Sequence, residues 1–294
     1  MLNSESANRQ VLWGIYCSIG AFFLFACQDA TVKWLVAGLA VPQILFFRSL
    51  TILALISAWR GPKAWNELAQ SRDLGPLFLR GLLMLGAWLF FYNAAKTLPL
   101  AELTVIYYGS PLIVTILSGP ILKEKIPFAR WLATLLGFAG VILACLPHDA
   151  SQPIAMGLAG IAAVLWAISM LLMRSIAGRA DASLIMLSQN LTLALGCILP
   201  LYWLWVPPSF LDVMMIIGLG VASALGQFLI YKAAQFAPAS VVAPMEYSSL
   251  IWAFILGFWI WGDIPPETVF MGGAMVIASG LVMIFAERRR RLIT

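Results

Sequence analysis

Two ionisable side chains that could act on a solute lie deep inside long apolar stretches of the sequence. Glu246 follows Pro244 in one stretch, and Arg48 lies near the middle of another. A carboxylate can pair with an ammonium group or carry a proton, and a guanidinium can receive a carboxylate. Because an ionisable group is costly in hydrocarbon, each is a candidate functional residue. Structural roles stay open: Glu246 protonated or paired with a neighbouring Tyr or Lys, and Arg48 in a buried pair.

Aromatic residues in the middle of apolar stretches form a second set of candidates. Tyrosine can stack on a planar ring, accept a cation on its face and offer a hydroxyl. With one glutamine as a weaker polar member, the predicted binding residues are Tyr92, Tyr107, Tyr108, Trp166, Gln227, Tyr231, Glu246 and Tyr247. The alternative for the tyrosines is anchoring at a lipid–water interface.

A third set could gate or couple a movement. Proline frees a backbone carbonyl and can bend a helix. Residues of opposite charge four positions apart, such as Asp29 and Lys33, can pair on one helix face. The predicted gating or coupling residues are Glu246, Pro244, Pro111, Asp29, Lys33, Arg48 and Glu102. For the pair and for Glu102, a place on the outer rim is the alternative. Arg80, Lys96 and Lys232 are nearer helix ends and are expected to extend toward water.

Composition places all of these residues in a lipid environment. Of 294 residues, 62% are hydrophobic and 11% are charged, against about 25% charged in soluble proteins. A soluble domain could not cover so much apolar surface, so lipid is the expected solvent. The four cysteines have neither zinc nor disulfide spacing. The sequence predicts no metal site, no cofactor and no cleavable signal peptide.

The elements that must position the candidates are apolar runs long enough to cross a bilayer, which takes about 20 residues. Ten runs qualify: 11–36, 41–59, 76–96, 99–121, 127–146, 153–173, 183–206, 211–235, 238–260 and 267–286. The longest break, around 60–75, predicts a short surface helix. The predicted fold is an all-α polytopic membrane protein with ten transmembrane helices.

Basic residues alternate between the two sides of this arrangement. With the N-terminus inside, the inner side holds Arg9, Arg60, Lys63, Arg72, Lys123, Lys125, Arg130, Arg174, Arg179 and Arg288 to Arg291. The outer side holds only Lys33 and Lys96. Because inner loops carry the excess of Lys and Arg, both termini are predicted to be cytoplasmic.

The two halves of the chain resemble each other. A displacement of 139 residues brings Tyr92 onto Tyr231 and Tyr108 onto Tyr247, and a displacement of 141 applies before the third run. The predicted division is a first repeat over 1–147 and a second over 148–294, which ends in the basic cytoplasmic tail. Because five helices is an odd number, the second copy must be inverted in the membrane. Inverted repeats are typical of alternating-access transporters with a midplane site, although they also build symmetric bundles and some channels.

Two segments carry a resemblance to a known family. The segment from Ala94-Ala95-Lys96 to Ser110-Pro111-Leu112, and the turn Lys123-Glu124-Lys125-Ile126-Pro127, resemble the EamA-type members of the drug/metabolite transporter superfamily. Within it, the chain resembles the YddG-type amino-acid exporters. The resemblance implies a bacterial inner-membrane exporter of amino acids, chiefly aromatic or bulky neutral ones, or of related metabolites. Other metabolites and lipophilic cations are alternative substrates.

Other functional classes lack their motifs. An intramembrane enzyme needs a nucleophile–base pair or metal ligands at depth, and the one histidine, His148, falls in a predicted outer loop. A receptor or scaffold would not need the repeat. The expected partners are a small-molecule substrate and the lipid bilayer, with no nucleic acid. The oligomeric state is left open, since a monomer suffices.

Overall fold

The computed structural model describes residues 2–110, 112–114, 116–117, 128–144, 146, 152–176, 181–236, 245 and 248–291. The helices assigned within these ranges are α1 (Leu2–Leu35), α2 (Val41–Arg60), α3 (Pro62–Ala69), α4 (Leu74–Ala94), α5 (Leu100–Tyr107), α6 (Phe128–Ala144), α7 (Pro153–Ile176), α8 (Ala182–Trp203), α9 (Phe210–Phe236), α10 (Ser248–Trp261) and α11 (Glu267–Arg291). The prediction of an all-α membrane protein is confirmed.

Six helices in the described part of the chain are long and apolar enough to cross a membrane. They are the spans Leu12–Leu35, Val41–Arg60, Leu74–Ala94, Pro153–Leu172, Ser183–Trp203 and Phe210–Ile230. Four shorter apolar helices, Leu100–Val114, Thr134–Ala144, Ser248–Trp261 and Glu267–Ser279, coincide with the remaining predicted runs. Each predicted run therefore contains an apolar helix, whereas ten complete crossings stay a prediction.

The predicted helix 99–121 is interrupted. The α-helical pattern of α5 stops at Tyr107, and the amide of Gly109 donates to the carbonyl of Ile106, three residues back, over 3.0 Å. Residue 111 is a proline, which has no amide hydrogen to donate to the carbonyl of Tyr107. Hydropathy does not register this lost donor, so the apolar run looked continuous.

The predicted surface helix between the second and third runs is α3. It begins directly after Gly61, whose φ of 63° lies in the left-handed region that a residue with a Cβ rarely adopts. Ala64 and Leu68 of α3 are buried, and the indole of Trp65 donates to the Ser57 hydroxyl over 3.0 Å. The chain therefore reverses at Gly61, and α3 packs back along the end of α2.

The chain forms two compact units, each built from segments of both sequence halves. Unit 1 comprises residues 1–30, 99–151 and 225–294, and unit 2 comprises residues 31–98 and 152–224. Unit 1 contains α5, α6, α10 and α11 with parts of α1 and α9. Unit 2 contains α2, α3, α4, α7 and α8 with the remainder of α1 and α9. This grouping by contact is separate from the predicted sequence repeat, which stays a prediction.

Unit 1 is organised around close contact between α6 and α11. A Cβ on Gly140 would lie 2.7 Å from the carbonyl oxygen of Gly272, a distance that real Cβ atoms essentially never show. Both positions therefore require glycine at this separation. Beside them, α5, α6, α10 and α11 enclose a small apolar core of Val105, Ala144, Leu250, Val269 and Val276. Small residues that let backbones approach are typical of helix contacts in membranes.

Unit 2 is organised around α4, which packs on α7 and α8, while α2 packs on α8. Its apolar core collects residues from α2, α3, α4 and α8, including Ile52, Ile56, Leu68, Leu77 and Leu187. The buried side chain of Gln43 fixes the segment after α8: its amide donates to the Val206 carbonyl over 2.8 Å and accepts from the Val206 amide over 3.1 Å.

Candidate functional site

Arg48 is the centre of a buried polar and aromatic cluster in unit 2. Its guanidinium is 1% exposed and donates through Nη1 to the Tyr92 hydroxyl over 2.7 Å. The guanidinium carbon lies 4.9 Å from the centroid of the Trp88 ring and 5.8 Å from that of Tyr92. Both distances are within the range of cation–π attraction. The charge is thus held by aromatic faces and one phenol.

Local sequence explains why these side chains meet. On α2, Arg48 follows buried Ile44 and precedes buried Ile52 at intervals of four, so it shares their inward face. On α4, Trp88 and Tyr92 are also four apart and their rings meet edge-on, with centroids 5.4 Å apart. Packing α2 on α4 brings Arg48 to this aromatic pair.

The cluster has more hydrogen-bond donors than acceptors. The Nε of Arg48 and the indole Nε1 of Trp88 are buried N–H groups without an acceptor within the described residues. Arg48 also contacts no carboxylate there. Buried polar groups normally find partners. Chemically, the cluster is suited to a group that accepts hydrogen bonds.

A second buried guanidinium lies further toward the start of α4. Arg80 is 8% exposed and donates through Nη1 to Oε1 of Gln189 on α8 over 2.7 Å. The prediction that Arg80 extends toward water is therefore wrong, because it shares the buried face of α4 with Leu77 and Met84. Its spacing from those apolar residues was the sequence signal that could have identified it.

In unit 1, two predicted candidates lie on α5 and the turn after it. The hydroxyls of Tyr108 and Ser249 form a hydrogen bond between that turn and α10. The rings of Tyr107 and Tyr108 meet edge-on with centroids 6.2 Å apart, and both side chains are half-buried. The carboxylate of Glu102 on α5 is almost fully buried. This residue is inside the protein rather than on an outer rim.

Other predicted residues are distributed between the two units. In unit 2, Trp166 on α7 and Lys33 at the end of α1 are half-buried. In unit 1, Gln227 on α9 is half-buried, and so is Asp29, whose carboxylate is 3.4 Å from the Gln28 side-chain nitrogen. The structure thus brings Arg48 to Tyr92, and Tyr107 to Tyr108.

Several predicted residues lie outside the described residues. These are Pro111, Pro244, Glu246 and Tyr247. The backbone of Tyr231 belongs to α9, whereas its side chain is not described. Their predicted roles stay predictions.

Trp88 and Gln189 were not among the site residues predicted from the sequence. Trp88 stands four residues before Tyr92, which was the available signal. As regards inorganic ligands, no group of three or more His, Cys, Asp or Glu side chains that could hold a metal ion occurs within the described ranges.

Comparison with known proteins places this geometry among membrane carriers. Residues 12–146 match the EamA-like transporter family. A "Riboflavin transporter" of Vibrio cholerae is 31% identical over 285 residues, covering 93% of each chain.

Two further relatives and one solved structure resemble the chain along nearly its whole length. An "S-adenosylmethionine uptake transporter" of Rickettsia bellii is 25% identical, covering 90% of each chain. The "Pseudopaline exporter CntI" of Pseudomonas aeruginosa is 26% identical, covering 92% of this chain and 95% of that protein. A crystal structure at 18% identity covers 96% of this chain and 98% of its own with a TM-score of 0.66, which indicates a shared fold.

Proposed function

This chain belongs to the EamA-like transporter family, and we propose that it carries a small metabolite with a planar ring across the bacterial inner membrane by alternating access. It is a secondary transporter of small metabolites and not an enzyme. The observation that carries the finer proposal is the buried cluster of Arg48, Trp88 and Tyr92. It joins flat aromatic faces to a fixed charge inside two helices long enough to span a membrane.

The names of the relatives support this substrate class. Riboflavin has a planar tricyclic ring and S-adenosylmethionine an adenine ring, and both also carry polar groups. The aromatic amino acids of the sequence-based hypothesis are smaller members of the same class, and their export is retained as a specific case. The relatives' names include both uptake and export, so transport must be measured in both directions.

Helix bounds support two inverted five-helix repeats over 1–147 and 148–294. A displacement of the span Leu12–Leu35 by 141 residues gives 153–176, which are the bounds of α7. The same displacement of α2 gives 182–201, against Ala182–Trp203 for α8. A displacement of α4 by 139 gives 213–233, which falls within α9. Ten crossings of the membrane follow from this proposal.

Packing inside each unit supports the same symmetry. The repeat counterparts α2 and α8 pack together in unit 2, and α6 packs on α11 and α5 on α10 in unit 1. The contact of α4 with α7 in unit 2 has a counterpart in unit 1, where the ring of Phe25 on α1 lies against Gly226 on α9. Such exchangeable halves are the basis of alternating access.

The proposal retains the predicted topology and residue roles. Both termini are cytoplasmic, in accord with the positions of the basic residues. Tyr92, Tyr107, Tyr108, Trp166, Gln227, Tyr231 and Tyr247 are proposed to contact substrate, and Glu246 to bind or couple it. Pro111, Pro244, Asp29, Lys33, Arg48 and Glu102 are proposed to gate or couple the movement.

Transport by the purified protein in proteoliposomes tests the proposal. Labelled riboflavin, S-adenosylmethionine, phenylalanine and tryptophan are loaded or added outside, with and without a pH gradient. We expect counterflow of at least one compound above the level of protein-free vesicles. If none of the four moves in either direction, the proposed substrate class is wrong. A flux that follows the pH gradient identifies proton coupling.

The Glu246→Gln variant tests the coupling residue separately. We expect reduced flux with a normal yield of monodisperse protein, since the amide keeps the size and removes the charge. Unchanged flux would exclude Glu246 from the site.

A further inference from the structure

The fully buried charges differ in sign between the two units. Among the described residues, the buried charged side chains are Arg48, Arg80 and Glu102. Both arginines belong to unit 2 and Glu102 belongs to unit 1. Neither arginine contacts a carboxylate in the described parts of the chain. The interior of unit 2 therefore contains two guanidinium charges without an anionic partner there.

Burying two guanidinium groups without a carboxylate partner is energetically costly. Arginine does not deprotonate in proteins, so it cannot escape the cost by losing its charge. An unpaired charge in a water-poor interior carries a penalty of several kcal/mol, as a general estimate. The phenol of Tyr92, the ring of Trp88 and the amide of Gln189 are neutral, so they offset part of that penalty. An anion would offset more of it.

The remaining donors indicate which chemical class of ligand would fit. Nε of Arg48, Nε of Arg80 and the indole Nε1 of Trp88 are all buried N–H groups that have no acceptor among the described residues. A cationic or donor-rich ligand would add repulsion or further unmatched donors. A carboxylate or phosphate supplies several acceptor oxygens and matches a guanidinium in geometry.

The two arginines are separated along a single helix. Arg80, Met84, Trp88 and Tyr92 follow one another at intervals of four on α4, so consecutive members are neighbours, while Arg80 and Tyr92 lie about a third of a turn apart around the helix. Arg80 and Tyr92 are twelve residues apart, or about 18 Å at 1.5 Å per residue. The helix α2 brings Arg48 to the Tyr92 end, and α8 brings Gln189 to the Arg80 end.

We propose that Arg48 with Trp88 and Tyr92, and Arg80 with Gln189, are two anion-binding points at different depths of unit 2, which select substrates that carry a carboxylate or phosphate. This inference rests on the proposed function, because it names the charge of the metabolite that is carried. The alternative, that both arginines only stabilise helix packing, predicts no dependence on ligand charge.

Matched pairs of probe compounds separate the two roles. Riboflavin and riboflavin 5′-phosphate differ by a phosphate, whereas S-adenosylmethionine and its decarboxylated form differ by a carboxylate. Binding to the purified protein is measured by the shift in melting temperature, and flux is measured in proteoliposomes. We expect the member that carries the phosphate or carboxylate to bind about tenfold more tightly in at least one pair, the effect of one charge-assisted hydrogen bond. The pair that responds distinguishes phosphate from carboxylate.

Variants test whether the arginines cause that preference. Arg48→Gln is expected to reduce binding of the member with the phosphate or carboxylate about tenfold and to change binding of the member without it less than about threefold. Gln189→Glu gives Arg80 a carboxylate within the protein and should weaken anion binding without removing a cation. This second variant serves if Arg48→Gln does not fold. Arg60→Gln is the matched control, since Arg60 ends α2 and already contacts the carboxylates of Glu67 and Asp181.

Two results would overturn the inference. One is wild-type stabilisation by the members with a phosphate or carboxylate that is no greater than by the members without it, including no stabilisation by either. The other is an equal loss of both members in Arg48→Gln while Arg60→Gln behaves as wild type. In either case, flux of any probe above protein-free vesicles would leave the proposed transport function intact.

Discussion

Units 1 and 2 are both bundles of apolar helices, yet different contacts hold them together. In unit 1, α6 and α11 approach so closely that Gly140 and Gly272 leave no room for a Cβ. In unit 2, the helices α2, α4 and α8 are bridged by buried polar groups, among them Arg48–Tyr92 and Arg80–Gln189. Close backbone contact fixes the separation of helices in unit 1, whereas hydrogen bonds between buried side chains connect the helices of unit 2. We infer that the two units reach a stable packing by different means.

The largest expected effect comes from enlarging the contact in unit 1. Gly140→Val places methyl groups where the Gly272 carbonyl oxygen already limits the space. Overpacking of a close contact costs about 1–3 kcal/mol and occasionally more. Because the obstructing atom belongs to the backbone and cannot rotate away, we expect a loss at or above the top of that range, with a lower melting temperature and a smaller monodisperse fraction in detergent. Gly157→Val is the control, because a Cβ at Gly157 meets nothing within 4 Å. Equal losses in both variants would assign the effect to helix propensity instead of contact.

The second effect concerns the polar bridge of unit 2. Gln189→Leu removes the amide oxygen that accepts from Arg80 and leaves a buried charge without that partner. We expect destabilisation of about 1.5–3 kcal/mol, the range for hydrogen bonds to charged groups. The double variant Arg80→Leu with Gln189→Leu should recover part of the lost stability, because it leaves no buried charge without a partner at this position. A double variant less stable than either single one would contradict this account.

The third effect concerns how much one hydrogen bond between side chains stabilises unit 1. Tyr108→Phe removes the hydroxyl that is hydrogen-bonded to Ser249. Hydrogen bonds between membrane helices contribute about 0.6 kcal/mol on average, so a melting shift smaller than that of Gln189→Leu is expected. Ser249→Ala on top of Tyr108→Phe should add little. The control Tyr202→Phe, at a residue that is 82% exposed, should leave the melting temperature unchanged. If Tyr108→Phe lowers the melting temperature more than Gln189→Leu does, the proposed difference in how the two units are stabilised is wrong.

The smallest effect is expected at the half-buried rim of unit 2. Arg60 contacts Glu67 at 2.8 Å and Asp181 at 3.2 Å, with side chains 27% to 44% exposed. Exposed ion pairs contribute about 0–1 kcal/mol and are screened by salt. Arg60→Ala should therefore lower the melting temperature slightly at low salt and not at high salt. A large loss that persists at high salt would show that charge stabilises unit 2 at its rim as well as in its interior.

Much of the fold could be predicted because the length of an apolar stretch can be determined from the local sequence alone. The predicted run 41–59 corresponds to the helix Val41–Arg60, and the predicted run 153–173 corresponds to Pro153–Ile176. The break after Tyr107 was missed, since hydropathy averages over a single absent hydrogen bond. Arg80 was wrongly predicted to extend toward water because the prediction used its distance from the helix end and ignored the buried face of α4 on which it lies.

The candidate site was only partly predictable. Arg48 and Tyr92 were both identified as candidates, but their contact joins residues 44 positions apart, and pairwise contact of that kind has no local signature. Trp88 was overlooked because its counterpart at a displacement of 139 residues, Gln227, is not aromatic, and its importance arises only from the guanidinium above its ring. Glu246 and Tyr247 lie outside the described residues, so their roles stay predictions.

The discontinuous make-up of the units has a consequence for biosynthesis. Gly140 emerges from the ribosome well before Gly272, and about 130 residues are added between them. At 5–20 residues per second, roughly 7 to 26 seconds pass between the synthesis of the two glycines. During that time α7 to α10 are also made. The close contact between α6 and α11 is therefore a late step in the assembly of unit 1.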